Sequence, residues 1–238
     1  MVNNKFKLPI IATLVTFSAI VIMLGLGQWQ LQRADEKSQR LEQIQQRQVQ
    51  QPLSLIEIVS SEIDLRDFPV AVTGEYLPQP LFFIDNKTFE GRIGYYVVAI
   101  AAVDKNHIAV NLGWLPAPRT RAELPKVTLP IGPQLIAGVI SLPSLNPMIS
   151  ETATADGSQK VRLQQLDLTY LQQFSGMKLL PMVILANDDG NVAYKRQWRQ
   201  VVMPPEKHIA YAIQWFGLAI ALLIVYVVVL LRINKEQA

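Results

Sequence analysis

LPIIATLVTFSAIVIMLGLGQWQLQ, residues 8–32, runs without a charged side chain between Lys7 and Arg33. IAYAIQWFGLAIALLIVYVVVLL, residues 209–231, does the same between His208 and Arg232. A hydrocarbon core about 30 Å thick takes about 20 apolar residues of helix, and both stretches are long enough. The backbone inside a bilayer has to satisfy its own hydrogen bonds, so each stretch is expected to be a helix. The first one exceeds the roughly 7–15-residue core of a signal peptide, and GQWQLQR offers no A-x-A-like cleavage site. It therefore reads as an uncleaved anchor. The expected organisation is a transmembrane helix over 8–32, a soluble domain over 33–207 and a second transmembrane helix over 209–231.

Two spans put both ends of the chain on one side of the membrane. Counting Lys and Arg near the helices favours the domain inside, through Arg33, Lys37, Arg40, Lys195, Arg196, Arg199 and Lys207. That bias governs short loops, and large domains cross largely regardless of charge. Charge alone leaves the orientation open.

After the first span, RADEKSQRLEQIQQRQVQQ has no Gly or Pro until Pro52. It reads as a solvated continuation of the helix. From Phe68 the texture becomes short β-rich runs with turn punctuation. FPVAVTGEY (68–76) is a strand, LPQP (77–80) a turn and LFFID (81–85) a strand. NKTFEGRIG (86–94) is a polar connection. YYVVAIAAV (95–103) and HIAVNLGWL (107–115) form an antiparallel hairpin about the tight turn DKN. Period-two alternation places Val110, Leu112 and Trp114 on one face. QLIAGVISL (134–142) is a further strand, and residues 141–160 look like a long mobile loop. Leu166, Tyr170, Leu171 and Phe174 recur at helical spacing, so a short helix should end at Gly176. LPMVILA (180–186) is a strand, NDDGN a turn, and VAYKRQW (192–198) a last strand. The expected fold class is a membrane protein: two transmembrane α-helices flanking a mainly antiparallel β domain, barrel- or sandwich-like, with one short helix.

The chain has no cysteine, which removes disulfides, thiolate metal sites and cysteine nucleophiles together. Its net charge is +3 with no dense basic run, which argues against a nucleic-acid partner. The two histidines, His107 and His208, are too few for a His-rich metal site. His107, beside the DKN turn, reads as an exposed turn residue. The methionines show no M-x-M clustering suited to copper. Asp188 and Asp189 lie in strong turn chemistry. GRIG lacks the helix that a nucleotide-binding glycine motif requires. No enzymatic motif emerges, and a non-enzyme is expected.

The membrane boundary holds the less ordinary residues. In LGLGQWQLQR, Gly25, Trp29 and Arg33 are four apart and share a helix face, with Gln28, Gln30 and Gln32 polar at the same level. Interfacial Trp followed by Arg is also ordinary anchoring. In MPPEKHIAYAIQWFG, Pro204 and Pro205 precede a helix start, and His208, Tyr211 and Trp215 stand at i, i+3 and i+7. An aromatic belt accounts for Tyr211 and Trp215 but not for a histidine at that depth. His208 as a helix cap or headgroup neighbour is the alternative.

These motifs resemble the surfeit locus protein family of cytochrome oxidase assembly factors. LGLGQWQLQRADEK is similar to that family's first-helix exit. GEYLPQPLFFIDNKTFEGRIGYYVV is similar through Gly74, Tyr76, Gly91, Gly94 and Tyr95, and AVNLGWLP through Asn111, Gly113, Trp114 and Pro116. WRQVVMPPEKHIAYAIQWFGLAIALLIVY resembles the second-helix motif through Trp198, Arg199, His208, Tyr211, Ala212, Gln214, Trp215 and Phe216. The resemblance covers essentially the whole chain. It departs at Leu112, where the family commonly carries Arg, so no role of that arginine is carried over.

The resemblance implies assembly of haem–copper cytochrome c oxidase, with haem a delivered to or held for subunit I. It implies as partners that subunit, the haem a synthesis machinery and membrane lipids. It also implies a bacterial inner membrane with the central domain periplasmic. The stretch MVNNKFK, without an Arg- and Ser-rich presequence, agrees with a bacterial rather than a mitochondrial protein. Haem a is flat and apolar, and imidazole is a suitable axial ligand. The expected cofactor-binding residues are His208, as ligand of the haem iron, with Tyr211 and Trp215 beside it and Trp29 and Arg33 facing it. Arg33 or Arg199 would pair with the propionates. The rivals are a cofactor-free membrane adaptor or scaffold, with Gly25, Gly27 and Gly217 permitting close helix packing, and a membrane-tethered enzyme.

Overall fold

The computed structural model describes residues 9–120, 123–150, 153–155, 159–188, 193–198 and 202–235. In chain order the elements are α1 (Ile10–Gln48), α2 (Leu55–Ser60), β1 (Pro69–Phe89), β2 (Arg92–Val103), β3 (Asn106–Pro116), β4 (Gln134–Ser141), β5 (Thr154–Ala155), β6 (Lys160–Leu163), α3 (Leu168–Ser175), β7 (Leu179–Ala186) and α4 (Pro205–Lys235). Two units are formed, one by Met1–Gln43 with Arg199–Ala238 and the other by Ile44–Trp198.

The first unit is a helix pair. α1 and α4 are long and apolar enough to cross a membrane, and only 6% of the most apolar window of each is covered by the rest of the chain. A core helix of a soluble protein would be largely covered, so these apolar faces are left for lipid. As expected, α1 continues through the polar stretch, to Gln48. Contacts of Thr13 with Tyr226 and Gln30 with His208 show that the helices run antiparallel. The less exposed positions include a series at spacings of three and four: Thr13, Thr16, Ile20, Met23, Gly27, Gln30 and Ala34 on α1, and His208, Ala212, Trp215, Ala219, Leu222 and Tyr226 on α4. A 3.5-residue repeat is the seam of a left-handed helix pair.

The second unit is a β-barrel. β1 pairs antiparallel with β4 through Pro69–Gly74 and then antiparallel with β2 from Glu75 to Phe89. β2 pairs with β3, β3 runs parallel to β7, and β7 returns to β4. The cycle β1-β2-β3-β7-β4-β1 therefore closes on itself and removes the exposed edges of an open sheet. β6 adds parallel to β1, and β5 adds to β6. Among the described strands the pairing is thus mostly antiparallel, with β1–β6 and β3–β7 parallel.

One apolar cluster draws on all five barrel strands, through Val72, Phe83, Val97, Val110, Ile136 and Ile184, and so fills the interior. A second cluster lies on the outer face, where Phe82, Ile84, Val98 and Ile100 meet Val161 of β6 and Leu171 of α3. β2 is buried on both faces, which is why its sequence is a continuous apolar run rather than an alternating one. Burying each such side chain contributes about 1.5–3 kcal/mol.

α3 ends as expected: Gly176 adopts φ 70° and its N–H donates to Gln172 O, while Asp167 caps the other end. Several local expectations are corrected. LPQP is not a turn. It is an excursion within β1, where the register shifts between Tyr76 and Leu81 and the Gln79–Pro80 peptide is cis. The connection 86–94 shrinks to a two-residue turn, because Glu90 (φ 47°) and Gly91 (φ 75°) both take left-handed backbone and let Phe89 pair with Arg92. Within 141–160 the structure places β5 and the start of β6. A second short helix, α2, forms on a Ser54–Glu57 capping box. The expected strand 192–198 is, among its described residues, a single bridge of Lys195 to Trp114. Asp189 of the NDDGN turn lies outside the described residues. His107 is a half-buried residue of β3, opposite Ala102.

Trp114 is buried but does not share a face with Val110 and Leu112. The register shifts so that Val97 faces Gly113 and Val98 faces Asn111, leaving Leu112 as an extra residue in a bulge. Gly113 takes φ +124° there. The alternation flips, Leu115 joins the interior with Leu112, and Trp114 turns to Phe89 at 5.4 Å.

Candidate functional site

α4 begins at Pro205, whose fixed φ suits the first helical position. His208 follows within that first turn. The apolar run beyond it makes the helix, and the seam spacing of His208, Ala212 and Ala219 turns this face toward α1. His208 is only 7% exposed. Its Nδ1 lies 2.8 Å from Oε1 of Gln30 on α1. Its Nε2 is buried and has no hydrogen-bond partner. Buried polar atoms are ordinarily satisfied, so an orphaned ring nitrogen marks this side chain out.

Of the five expected site residues, His208 and Trp215 share the seam. Tyr211 and Trp29 point away from it and are each 45% exposed. Arg33 is exposed beside Trp29: its guanidinium lies 5.6 Å from the Trp29 ring centroid and donates to Glu36 at 2.7 Å. The residue that does meet His208 is Gln30. The sequence marks it only as one of three polar glutamines at that level. The signal that would have found it is the 3.5 repeat through Gly27, Gln30 and Ala34. Arg199 lies outside the described residues.

Close approach at the seam depends on Gly27, where a Cβ would come 2.5 Å from Phe216 Cε1. Gly25 and Gly217 have open space beside them. Small residues thus bring the helices together at one level and leave gaps on the outer surfaces.

In the barrel unit, Leu112 lies in the interior and its carbonyl accepts Nε–H of Arg196 at 2.8 Å. The buried Asn111 accepts the N–H of Gly113, which supports the bulge. Among the described residues no cluster of three or more His, Asp or Glu side chains is arranged to hold a metal ion. The chemistry the seam offers is that of one imidazole, His208, paired with the amide of Gln30.

The fold is that of a closed, mostly antiparallel β unit carried between two helices fit to span a membrane. The SURF1 family profile matches residues 17–220. A SURF1-like protein of Rickettsia felis is 28% identical over 225 residues, covering 92% of this chain and 95% of that protein. One from Rickettsia prowazekii is 30% identical over 219 residues, covering 89% and 86%. A SURF1-like protein of Dictyostelium discoideum is 27% identical over 116 residues, or 44% and 43% of the two chains. The chain belongs to the SURF1 family, the surfeit locus family that its motifs resemble.

Proposed function

We propose that this chain is a non-enzymatic assembly factor for haem–copper cytochrome c oxidase, and that it holds or delivers haem a for subunit I. In this reading α1 and α4 cross a bacterial inner membrane, both ends of the chain are cytoplasmic, and residues 33–207 are periplasmic. Family membership supports the oxidase role. The observation that carries the cofactor reading is the buried, unpartnered Nε2 of His208.

The residues fit that group. Haem iron takes a neutral imidazole nitrogen as an axial ligand, and His208 offers one beside Trp215 and near lipid-facing surface. His208 would be the ligand and Trp215 its neighbour on the seam; Tyr211, Trp29 and Arg33 face outward from that seam and would meet the group only at the outer surface, with Arg33 toward the propionates. Because Nε2 is buried, neighbouring side chains have to shift for a ligand to reach it. Haem a synthesis enzymes are the chemical source of such a ligand.

The test compares wild type with His208→Ala, both purified from cells that make haem a. The variant should insert normally but lose or shift its Soret band. Equal haem with an unchanged spectrum would remove His208 as ligand. Deleting the chain should lower oxidase activity and leave haem synthesis intact; unchanged oxidase spectra would count against the role.

A cofactor-free adaptor is the second reading. It is favoured by the open space at Gly25 and Gly217, which leaves room for a partner's helices. A protein that never carries haem yet still supports oxidase assembly would establish it.

A further inference from the structure

We propose that Gln30 is a positioning residue for His208: its side-chain carbonyl accepts the Nδ1 proton and so holds the imidazole in the tautomer whose lone pair is on Nε2. This rests on the haem reading above, but the tautomer is a property of the chain alone.

The pair admits two arrangements across its 2.8 Å separation. Either Nδ1–H donates to the amide oxygen, or the amide NH₂ donates to Nδ1. The surroundings of the other ring nitrogen decide between them. If Gln30 donated, Nε2 would carry the proton, and a buried N–H would have no acceptor, because Nε2 has no partner. An orphaned buried N–H is rarer and costlier than an acceptor left unfilled. A doubly protonated ring would leave the same orphan with a charge added. The arrangement with the smallest loss has Nδ1–H donating to Gln30 and a bare lone pair on Nε2.

That arrangement is also the one a metal requires. Ligating histidines ordinarily donate their second N–H to an oxygen acceptor, which fixes the tautomer, orients the ring and raises its basicity. Here the acceptor is supplied by the other helix. Gln30 lies on the α1 seam between Gly27 and Ala34, and the close approach at Gly27 brings it within reach. The interaction thus makes the state of His208 depend on the pairing of α1 with α4.

The experiment uses the full chain in lipid nanodiscs, as wild type, Gln30→Leu and Gln30→Glu. Ring-nitrogen NMR on ¹⁵N-histidine-labelled protein is simple, since the chain has two histidines. Without haem, wild type should show a proton on Nδ1 of His208 and none on Nε2. Gln30→Leu should mix or reverse the tautomers; Gln30→Glu, which keeps an acceptor, should preserve the wild-type form. Titrated with haem a, Gln30→Leu should bind about 10-fold or more weakly. Gln30→Glu should bind, with a reduction potential lower than wild type. A wild-type proton on Nε2, or an unchanged tautomer in Gln30→Leu, overturns the proposal. So does a changed tautomer with unchanged haem affinity, since Gln30 would then only clasp the helices. If wild type takes up no haem, the haem reading fails, while the tautomer set by Gln30, read without haem, still stands or falls by the Gln30→Leu spectrum.

Discussion

Gly27 lies under the ring of Phe216, so that a methyl group on its Cα would meet Phe216 Cε1, Cζ and Cδ1 at 2.5, 2.7 and 2.9 Å. Phe216 is held in the helix interface, and a larger residue at 27 has to push it or the helix away. Overpacking of this kind costs about 1–3 kcal/mol. Gly27→Leu should therefore separate α1 from α4. The absence of native cysteine makes this measurable by cross-linking Thr13→Cys to Tyr226→Cys, which stand in contact. Cross-linking should fall in Gly27→Leu and recover when Phe216→Ala is added. An unchanged yield would show that the helices do not pack through this contact.

Trp114 is buried, and its Nε1–H donates to Lys87 O at 2.9 Å. Trp114→Ala should cost about 3–5 kcal/mol through lost burial and cavity formation. Trp114→Phe keeps most of the apolar contact but removes the hydrogen bond to Lys87 O, costing about 1 kcal/mol more than the loss of area alone. Both should appear as reduced abundance and lower thermal stability rather than a selective loss of haem. Normal stability of the Ala variant would place the indole at a partner surface instead.

Burial lowers the Lys87 amine below its ordinary 10.5. The folded state then binds fewer protons than the unfolded state between the lowered pKa and 10.5, so stability rises with pH across that window. Below the window the cost of burying the charge is present in full. Lys87→Met removes it and should raise the melting temperature at neutral pH, with the advantage shrinking as pH approaches 10.5. An advantage independent of pH would mean that packing, not charge, is responsible.

Topology has a direct check. A reporter active only in the periplasm, fused after Ala238, should stay silent, and the same reporter placed in the barrel unit should be active. The reverse pattern would invert the orientation.

Much of this architecture is legible in the sequence because the deciding quantities are local. Two uncharged stretches of bilayer length need no partner to be helical, and Leu8–Gln32 and Ile209–Leu231 lie almost wholly within α1 and α4. The hairpin of β2 and β3, the left-handed cap at Gly176 and the polar continuation of α1 follow from runs, turn residues and composition in the same way. The family motifs are local too, and they point to the same family as the relatives.

Other features depend on what lies opposite in space. No local signal says that β1 passes straight through LPQP, because that needs Leu81–Ile84 to pair with Val97–Ala99 and Tyr96 beyond the excursion. The bulge at Leu112 reverses the faces expected for Trp114, since register is set by the partner strand rather than by alternation alone. At the membrane boundary, sequence spacing places His208 with Tyr211 and Trp215 on one face of a continuous 3.6-residue helix. A helix pair selects a narrower 3.5-residue seam, which keeps His208 and Trp215, turns Tyr211 and Trp29 outward and sets Gln30 against the imidazole. Sequence alone determined that a histidine stands at the start of the second span; only the tertiary packing of α1 on α4 decided which nitrogen has a partner and which is left bare.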